Sequence, residues 1–379
     1  MNISKLNNPF VISKLIPEEY FCDRNEETSF LVRQIENGRN VVLVSPRRMG
    51  KTGLIHHLFQ QQEIADKYHT FFIDLYPAST LQEMCYIFSK GVFERLKSKK
   101  TQHWEAFFQT IKSLRPGFKI DPITGEPSFV LGIGAIENPE TTLEEIFSYL
   151  ESADRPCLVA LDEFQQIAEF QEKRVEALLR GLIQRCSNTT FIFSGSKQHT
   201  ISQMFHSKSK PFYQSAQSMD LRPIDLEVYA DFACSLFSRY EKGLERDVVS
   251  QVYGQFEGTT WYLQMMMNEL FSLTAIGETC TPAHIEQALQ NIINAQEGIY
   301  LTQLAMLSLR QKQLLQAIAQ EGTVKSVTSA AFIKKYALDS ASSVQSALKG
   351  LTEKDFLTTT DGIHRISDYF FALWLKKSF

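Results

Sequence analysis

The residues best equipped for chemistry lie in one run, Ser45-Pro46-Arg47-Arg48-Met49-Gly50-Lys51-Thr52-Gly53, directly after the apolar stretch Val41–Val44. The phosphate-cradling template is G-x-x-x-x-G-K-[ST]. Ser45 stands at its first glycine, and Gly50, Lys51 and Thr52 fill the other fixed positions. A helix N-terminus leaves backbone N–H groups unpaired and carries partial positive charge, which suits a polyphosphate. Gly50 allows close backbone approach, Lys51 places a charge on the β- and γ-phosphates, and the Thr52 hydroxyl is suited to Mg²⁺. The run is therefore expected to bind ATP with Mg²⁺.

A second constellation is Asp162-Glu163, at the end of the apolar run Cys157–Leu161. A carboxylate at the C-terminal end of a parallel strand lies where α/β sheets bind ligands, so Asp162 joins Thr52 as an expected metal ligand. The adjacent Glu163 is placed to orient and deprotonate a water. Ser194 and Ser196, in Ser194-Gly195-Ser196-Lys197, follow the next apolar run. They either sense the γ-phosphate and position water or form an ordinary polar turn. Lys51, Glu163, Ser194 and Ser196 make up the expected catalytic set. Arg180 and Arg185, one run earlier, either serve a neighbouring subunit's site or are exposed structural arginines.

Positioning these groups requires strands alternating with helices. Apolar strands are expected at Val41–Val44, Thr70–Leu75, Cys157–Leu161, Thr190–Ser194 and Ser218–Leu221. Helices are expected at Leu54–Gln60, Leu81–Lys97 and Val175–Cys186, with another opening at Thr141 by a capping box. That alternation predicts an α/β fold, a parallel sheet covered on both faces. Residues 116–139, punctuated by Gly and Pro, read as a β-hairpin excursion turning near Thr124-Gly125. The basic end Lys97-Ser-Lys99-Lys100 reads as a solvated helix terminus.

Beyond Asp225 the strand pattern stops. Helices are expected at Leu226–Tyr240, Glu245–Phe256, Trp261–Leu273 and Pro282–Ala295. Three more follow, Gln311–Glu321, Ser329–Tyr336 and Ser342–Lys354. The last is followed by a hairpin, Phe356–Thr360 and Ile363–Ile366, turning at Asp361-Gly362. The expected domains are an ATPase core over 1–222, an all-α lid over 223–299 and a winged helix over 300–379.

A chain of 379 residues with 44% hydrophobic and 22% charged residues fits a soluble protein of two or three domains. A net charge of −4 gives no global sign of nucleic-acid or membrane binding. The six cysteines are scattered without a C-x-x-C pair, which argues for reduced thiols and a cytoplasmic location. No run approaches a membrane span. Residues 301–379, however, carry ten Lys/Arg against six Asp/Glu, a net of +4, so the remainder carries −8. That asymmetry favours phosphate contact, yet the candidate recognition helix offers Ser342, Ser343, Gln345, Ser346 and Lys349 and no arginine. A DNA reader and a protein-docking or autoinhibitory module both stand as partner readings.

Ser-Pro-Arg-Arg-Met-Gly-Lys-Thr, the upstream Phe21-x-Asp-Arg24-x-Glu26, Asp162-Glu163 and Gly195-Ser196 together resemble the archaeal-type ATPases. These belong to the STAND group of AAA+-related P-loop proteins, and the likeness extends over nearly the whole chain. The resemblance implies that Phe21 and Arg24 lie near the base or phosphates, and that a lid closes through a Gly-x-Pro segment aligning with Gly258-Thr-Thr260. Two departures stand out. Thr260 replaces the lid proline, and no sensor arginine follows Gly258, since Thr259-Thr-Trp-Tyr262 is uncharged. The expectation is a slow ATPase acting as a nucleotide-driven switch. The alternatives are a DNA-binding, initiator-like ATPase or a nucleotide-binding interaction protein with negligible hydrolysis.

Overall fold

The computed structural model describes residues 6–12, 15–97, 101–120, 127–129, 136–172 and 174–378. The chain forms two compact units, one made of residues 13–228 with Thr259–Trp261, the other of residues 1–12, 229–258 and 262–379.

The first unit is α/β. Strands β1 (Val41–Val44), β2 (His69–Asp74), β5 (Cys157–Asp162), β6 (Thr189–Gly195) and β7 (Gln217–Asp220) form one sheet in the order β2-β5-β6-β1-β7. Every pairing is parallel. Residues of β1, β5 and β6 are buried throughout, and their pleat sends alternate side chains to opposite faces. Val42, Val44, Val159, Leu161, Phe191 and Phe193 enter one apolar cluster, together with helices Leu81–Lys97, Pro139–Glu151 and Val175–Arg185. Val41, Leu43, Leu158, Ala160 and Ile192 enter the other, covered by helices Asn25–Glu36 and Lys51–Gln60. Continuous apolar runs thus read as strands buried on both faces.

The hairpin consists of β3 (Phe118–Ile120) paired antiparallel with β4 (Pro127–Phe129). Its expected turn at Thr124-Gly125 lies outside the described residues, as do Ser98, Lys99 and Lys100 of the basic run. The helix expected to open at Thr141 begins at Pro139, where the Asn138 side chain accepts a hydrogen bond from Thr141 N–H. Asparagine before proline is the stronger start signal, because proline at the first helical position needs no N–H partner. Helices Thr101–Thr110 and Gln198–His206 were not expected.

The second unit includes residues from near the N-terminus. Residues 6–12, expected in the core, pack here, because the fully buried Phe10 ring sits among Phe232, Phe237 and Phe271. Asn268 Nδ2 donates to Phe10 O at 2.7 Å, and Asn8 Nδ2 donates to Asn268 O at 2.9 Å. Helices Leu226–Arg239, Arg246–Gln255, Thr260–Leu273 and Ala283–Ala305 match the expected set, with two differences. The region is not wholly helical, since β8 (Gly243–Leu244) and β9 (Thr279–Cys280) pair in parallel. The last helix also runs ten residues past its expected end at Ala295. Its extension is held by packing, for buried Tyr300 meets Phe371 and Trp374 of the unexpected C-terminal helix Tyr369–Ser378.

The C-terminal elements follow the expected order. Helices Leu309–Glu321, Ala330–Lys335 and Ala341–Glu353 accompany a sheet β10 (Thr323–Val324), β12 (Ile363–Ile366) and β11 (Leu357–Thr360), in that spatial order. Asp361 and Gly362 both take positive φ, 52° and 76°, the backbone that a two-residue hairpin turn demands. Ser308 and Gln311 form a reciprocal capping box on the first of these helices.

Candidate functional site

The loop after β1 turns into helix Lys51–Gln60 through Gly50, whose φ of 91° is a left-handed conformation that glycine adopts without a Cβ penalty. The loop encloses its own lysine. Lys51 Nζ donates to Ser45 O at 2.8 Å, Pro46 O at 2.9 Å and Ser45 Oγ at 3.1 Å. Burial pushes the Lys51 ammonium down to about 8, an effect opposed by the Glu163 and Asp162 charges and reinforced by Arg47. An ammonium that turns inward on carbonyls has the donors a phosphate would take over.

Two residues on the segment after Gly258 belong to this same unit and brace the loop. Trp261 N–H donates to Arg48 O at 3.0 Å, and the Trp261 ring carries the Arg48 guanidinium at 4.3 Å from its centroid. Thr260 Oγ1 donates to Met49 O at 3.3 Å, so the residue standing where the lid proline was expected makes a hydrogen bond that proline lacks.

The strand order places β6 between β1 and β5, which brings the two acidic residues and the two serines together. Asp162, buried at the end of β5, accepts from Thr52 Oγ1 at 2.8 Å, from the Ser194 hydroxyl, and from Glu163 N–H at 3.0 Å. Glu163 accepts from Ser196 Oγ at 2.8 Å and from the Gln165 amide. Its φ is 51°, unusual for a residue with a side chain, and such strain clusters at functional sites. Ser194 and Ser196 thus point at the two carboxylates, and an alanine at Gly195 would drive its Cβ into Gln165.

Gln165 was missed by sequence reasoning. It is 1% exposed and two residues beyond Glu163, and nothing in a lone glutamine after an acidic pair announces it. Asp74 was also passed over. It ends β2 in register with Asp162, and its carboxyl is raised chiefly by burial, against an opposing hydrogen bond from Tyr76 N–H; the Asp162 and Glu163 charges add to the rise. A carboxylate strand end one position from the acidic strand was the available signal.

Phe21 reaches the first helical turns after the loop. Its ring stacks on His57 with centroids 4.1 Å apart, and a Cβ on Gly53 would lie 3.8 Å from it. Arg24 is 4% exposed and pairs with Glu27 at 2.6 Å, while its Nη2 has no hydrogen-bond partner. Arg180 and Arg185 stay on the surface of their own helix, where Arg185 Nε donates to Gly181 O at 3.2 Å. Mg²⁺ prefers one or two protein oxygens and completes its shell with phosphates and water. Thr52 Oγ1 and Asp162 Oδ2, hard oxygens 2.8 Å apart, fit that requirement. Among the described residues, no group of three His, Cys, Asp or Glu is placed to bind a metal by itself.

Residues 21–266 match a family described as an ATPase domain predominantly from Archaea. The chain belongs to that ATPase family. Residues 298–377 match a probable winged helix domain. No curated protein sequence matches the chain. Among solved structures, a Walker-type ATPase of Pyrococcus abyssi aligns with a TM-score of 0.65 at 17% identity, over 97% of this chain and 99% of that one. The ORC2 protein of Aeropyrum pernix, in ADPNP and ADP complexes, aligns at 0.59 and 14% identity, over 97% and 95%. The ORC1 protein of Aeropyrum pernix, in complex with DNA, aligns at 0.53 and 11% identity, over 96% and 95%. At these identities the likeness is one of fold. Among the described residues, no helix of this ATPase-family chain is long and apolar enough to cross a membrane.

Proposed function

We propose that this ATPase-family chain binds ATP with Mg²⁺ and hydrolyses it slowly, as a cytoplasmic conformational switch of the STAND type. The observation that carries the reading is the pair of separately held carboxylates beside the loop lysine. Asp162 is tied to Thr52 and Ser194, and Glu163 to Ser196 and Gln165. Two adjacent acids with different partners are suited to different tasks.

In this mechanism the triphosphate takes over Lys51 from the carbonyls of Ser45 and Pro46. Thr52 and Asp162 would hold Mg²⁺, which when bound neutralises phosphate charge. Glu163 orients a water and accepts its proton as the water oxygen bonds to the γ-phosphorus and the bond to ADP breaks. Ser196 and Gln165 fix the Glu163 carboxylate, and Ser194 fixes Asp162. Replacing Lys51 with Ala removes the phosphate charge; ATP and ADP affinity should fall on the order of a hundredfold or more, read by calorimetry. Undiminished affinity in Lys51→Ala would end the nucleotide reading.

A DNA-binding, initiator-like role is the second reading. It is supported by the winged helix, the +4 charge of residues 301–379 and the fold likeness to a protein described in complex with DNA. Retention on duplex DNA that falls steeply with salt would favour it, because phosphate neutralisation releases counterions. Salt-insensitive binding would favour a protein partner.

A further inference from the structure

The phosphate loop holds two adjacent arginines in different circumstances. Arg48 is part of the loop's architecture. Its φ is 70°, its carbonyl accepts from Trp261 N–H at 3.0 Å, and its guanidinium lies over the Trp261 ring at 4.3 Å. Arg47 is exposed, and its guanidinium lies 5.9 Å from the centroid of the Tyr76 ring. Among the described residues Arg47 makes no ion pair. Tyr76 is two residues beyond Asp74, which is in register with Asp162, so the Arg47 side chain extends toward the carboxylate end of the sheet. An exposed cation–π contact is weak and is readily exchanged for a stronger anion.

We infer that Arg47 is the charge-stabilising arginine of this site, supplied by the phosphate loop itself and reserved for the terminal phosphate of a bound triphosphate. The inference rests on the nucleotide reading of the loop. Breaking the bond to ADP places negative charge on the transferring phosphoryl oxygens and on the leaving oxygen. A planar guanidinium meets two such oxygens with parallel hydrogen bonds in a fixed fork, a geometry that an ammonium does not preorganise. The segment Thr259-Thr-Trp-Tyr262, where a sensor arginine was sought, carries no charge. Arg47 supplies one from the phosphate loop itself. Arg48 shapes the loop, and Arg47 distinguishes ATP from ADP.

The test is to measure ADP affinity, affinity for a non-hydrolysable ATP analogue, and kcat in wild type, Arg47→Ala, Arg47→Lys, Arg48→Ala and Lys51→Ala. Arg47→Ala should keep its ADP affinity, lose about tenfold or more in analogue affinity, and lose on the order of 10²–10³-fold in kcat. Arg47→Lys should recover analogue affinity but only part of kcat, because it restores charge without the fork. Arg48→Ala should weaken ADP and analogue alike. If Arg47→Ala melts early, Arg47→Lys alone carries the comparison. The proposal is overturned if either Arg47 variant keeps wild-type kcat, or if ADP and analogue affinity fall in equal measure. Lys51→Ala that still binds both nucleotides would instead overturn the nucleotide reading.

Discussion

The phosphate loop and residues 301–379 both carry an excess of positive charge, but their charged side chains are organised differently. At the loop, Lys51, Thr52, Asp162, Glu163, Ser194 and Ser196 bond to one another or to loop carbonyls, and Lys51, Asp162 and Ser194 are buried. In the C-terminal elements each ion pair has at least one exposed member, and Arg365 is the half-buried one. Arg310 meets Asp339 at 2.7 Å, Lys335 meets Glu321 at 2.6 Å, Lys377 meets Glu286 at 3.0 Å, and Arg365 meets Glu257 at 2.6 Å. Exposed pairs of this kind contribute little and exchange partners easily, whereas a preorganised buried set is already arranged for developing charge. The proposed chemistry belongs with the first arrangement. The second suits reversible attachment, and two of its positive charges, Arg365 and Lys377, are engaged by acids outside residues 301–379.

The sharpest way to break this contrast is to remove the proposed base without disturbing its surroundings. Glu163→Gln keeps shape and hydrogen-bonding capacity but cannot accept a proton. It should bind ATP like wild type while turnover falls on the order of 10²–10⁴-fold, measured by phosphate release. Turnover at the wild-type rate would remove the assignment of Glu163 and leave the ordered carboxylates without a catalytic meaning.

Next in size is a pH effect that only the buried site should show. Lys51 stands at about 8 in the nucleotide-free loop, chiefly because burial disfavours its charge. A bound phosphate stabilises the ammonium and so raises that value, and binding therefore takes up a proton once the pH exceeds about 8. ADP affinity should be flat below that point and weaken by up to about tenfold per pH unit above it, until the pH reaches the raised value of the complex. Titrations at about pH 7 and about pH 9 in two buffers of different protonation enthalpy would detect both the weakening and the proton uptake. Equal affinity at both pH values would mean that Lys51 is charged throughout or does not contact phosphate.

The buried site was also the more legible one. Its strands are continuous apolar runs ended by Thr-, Asp- and Ser-bearing turns, and the Gly50-Lys51-Thr52 spacing is fixed by how a backbone wraps an anion. What stayed hidden depends on tertiary neighbours. Gln165 acquires its task from the fold of a short helical turn, and Thr260 from the return of a distant segment to Met49. Phe10 was assigned with the core because nothing in Pro9-Phe10-Val11 announces the cage of Phe232, Phe237 and Phe271. The extension of helix Ala283–Ala305 was hidden for the same reason, since Tyr300 finds its partners 71 and 74 residues later in Phe371 and Trp374. The Asp361-Gly362 turn, by contrast, is purely local, and it was readable.

The smallest effects are expected at the winged face, where they sharpen the contrast by separating engaged from available charge. Arg365, on strand β12, donates to Glu257 at 2.6 Å and to the Tyr369 hydroxyl at 2.8 Å, while Lys349 is 77% exposed and only 3.8 Å from Glu353. Both positions carry one positive charge, so composition treats them alike. If duplex DNA is bound through this face, Lys349→Ala should weaken binding to all sequences similarly and lower the salt slope by about one. Arg365→Ala should leave that slope unchanged and cost about 1–2 kcal/mol of stability, because Arg365 and its partner Tyr369 are half-buried. A slope that drops equally in both variants would show that the Glu257 pair opens to meet phosphate. A slope unaffected by either would leave the charge asymmetry without a nucleic-acid role, and the winged unit would then be a surface for protein.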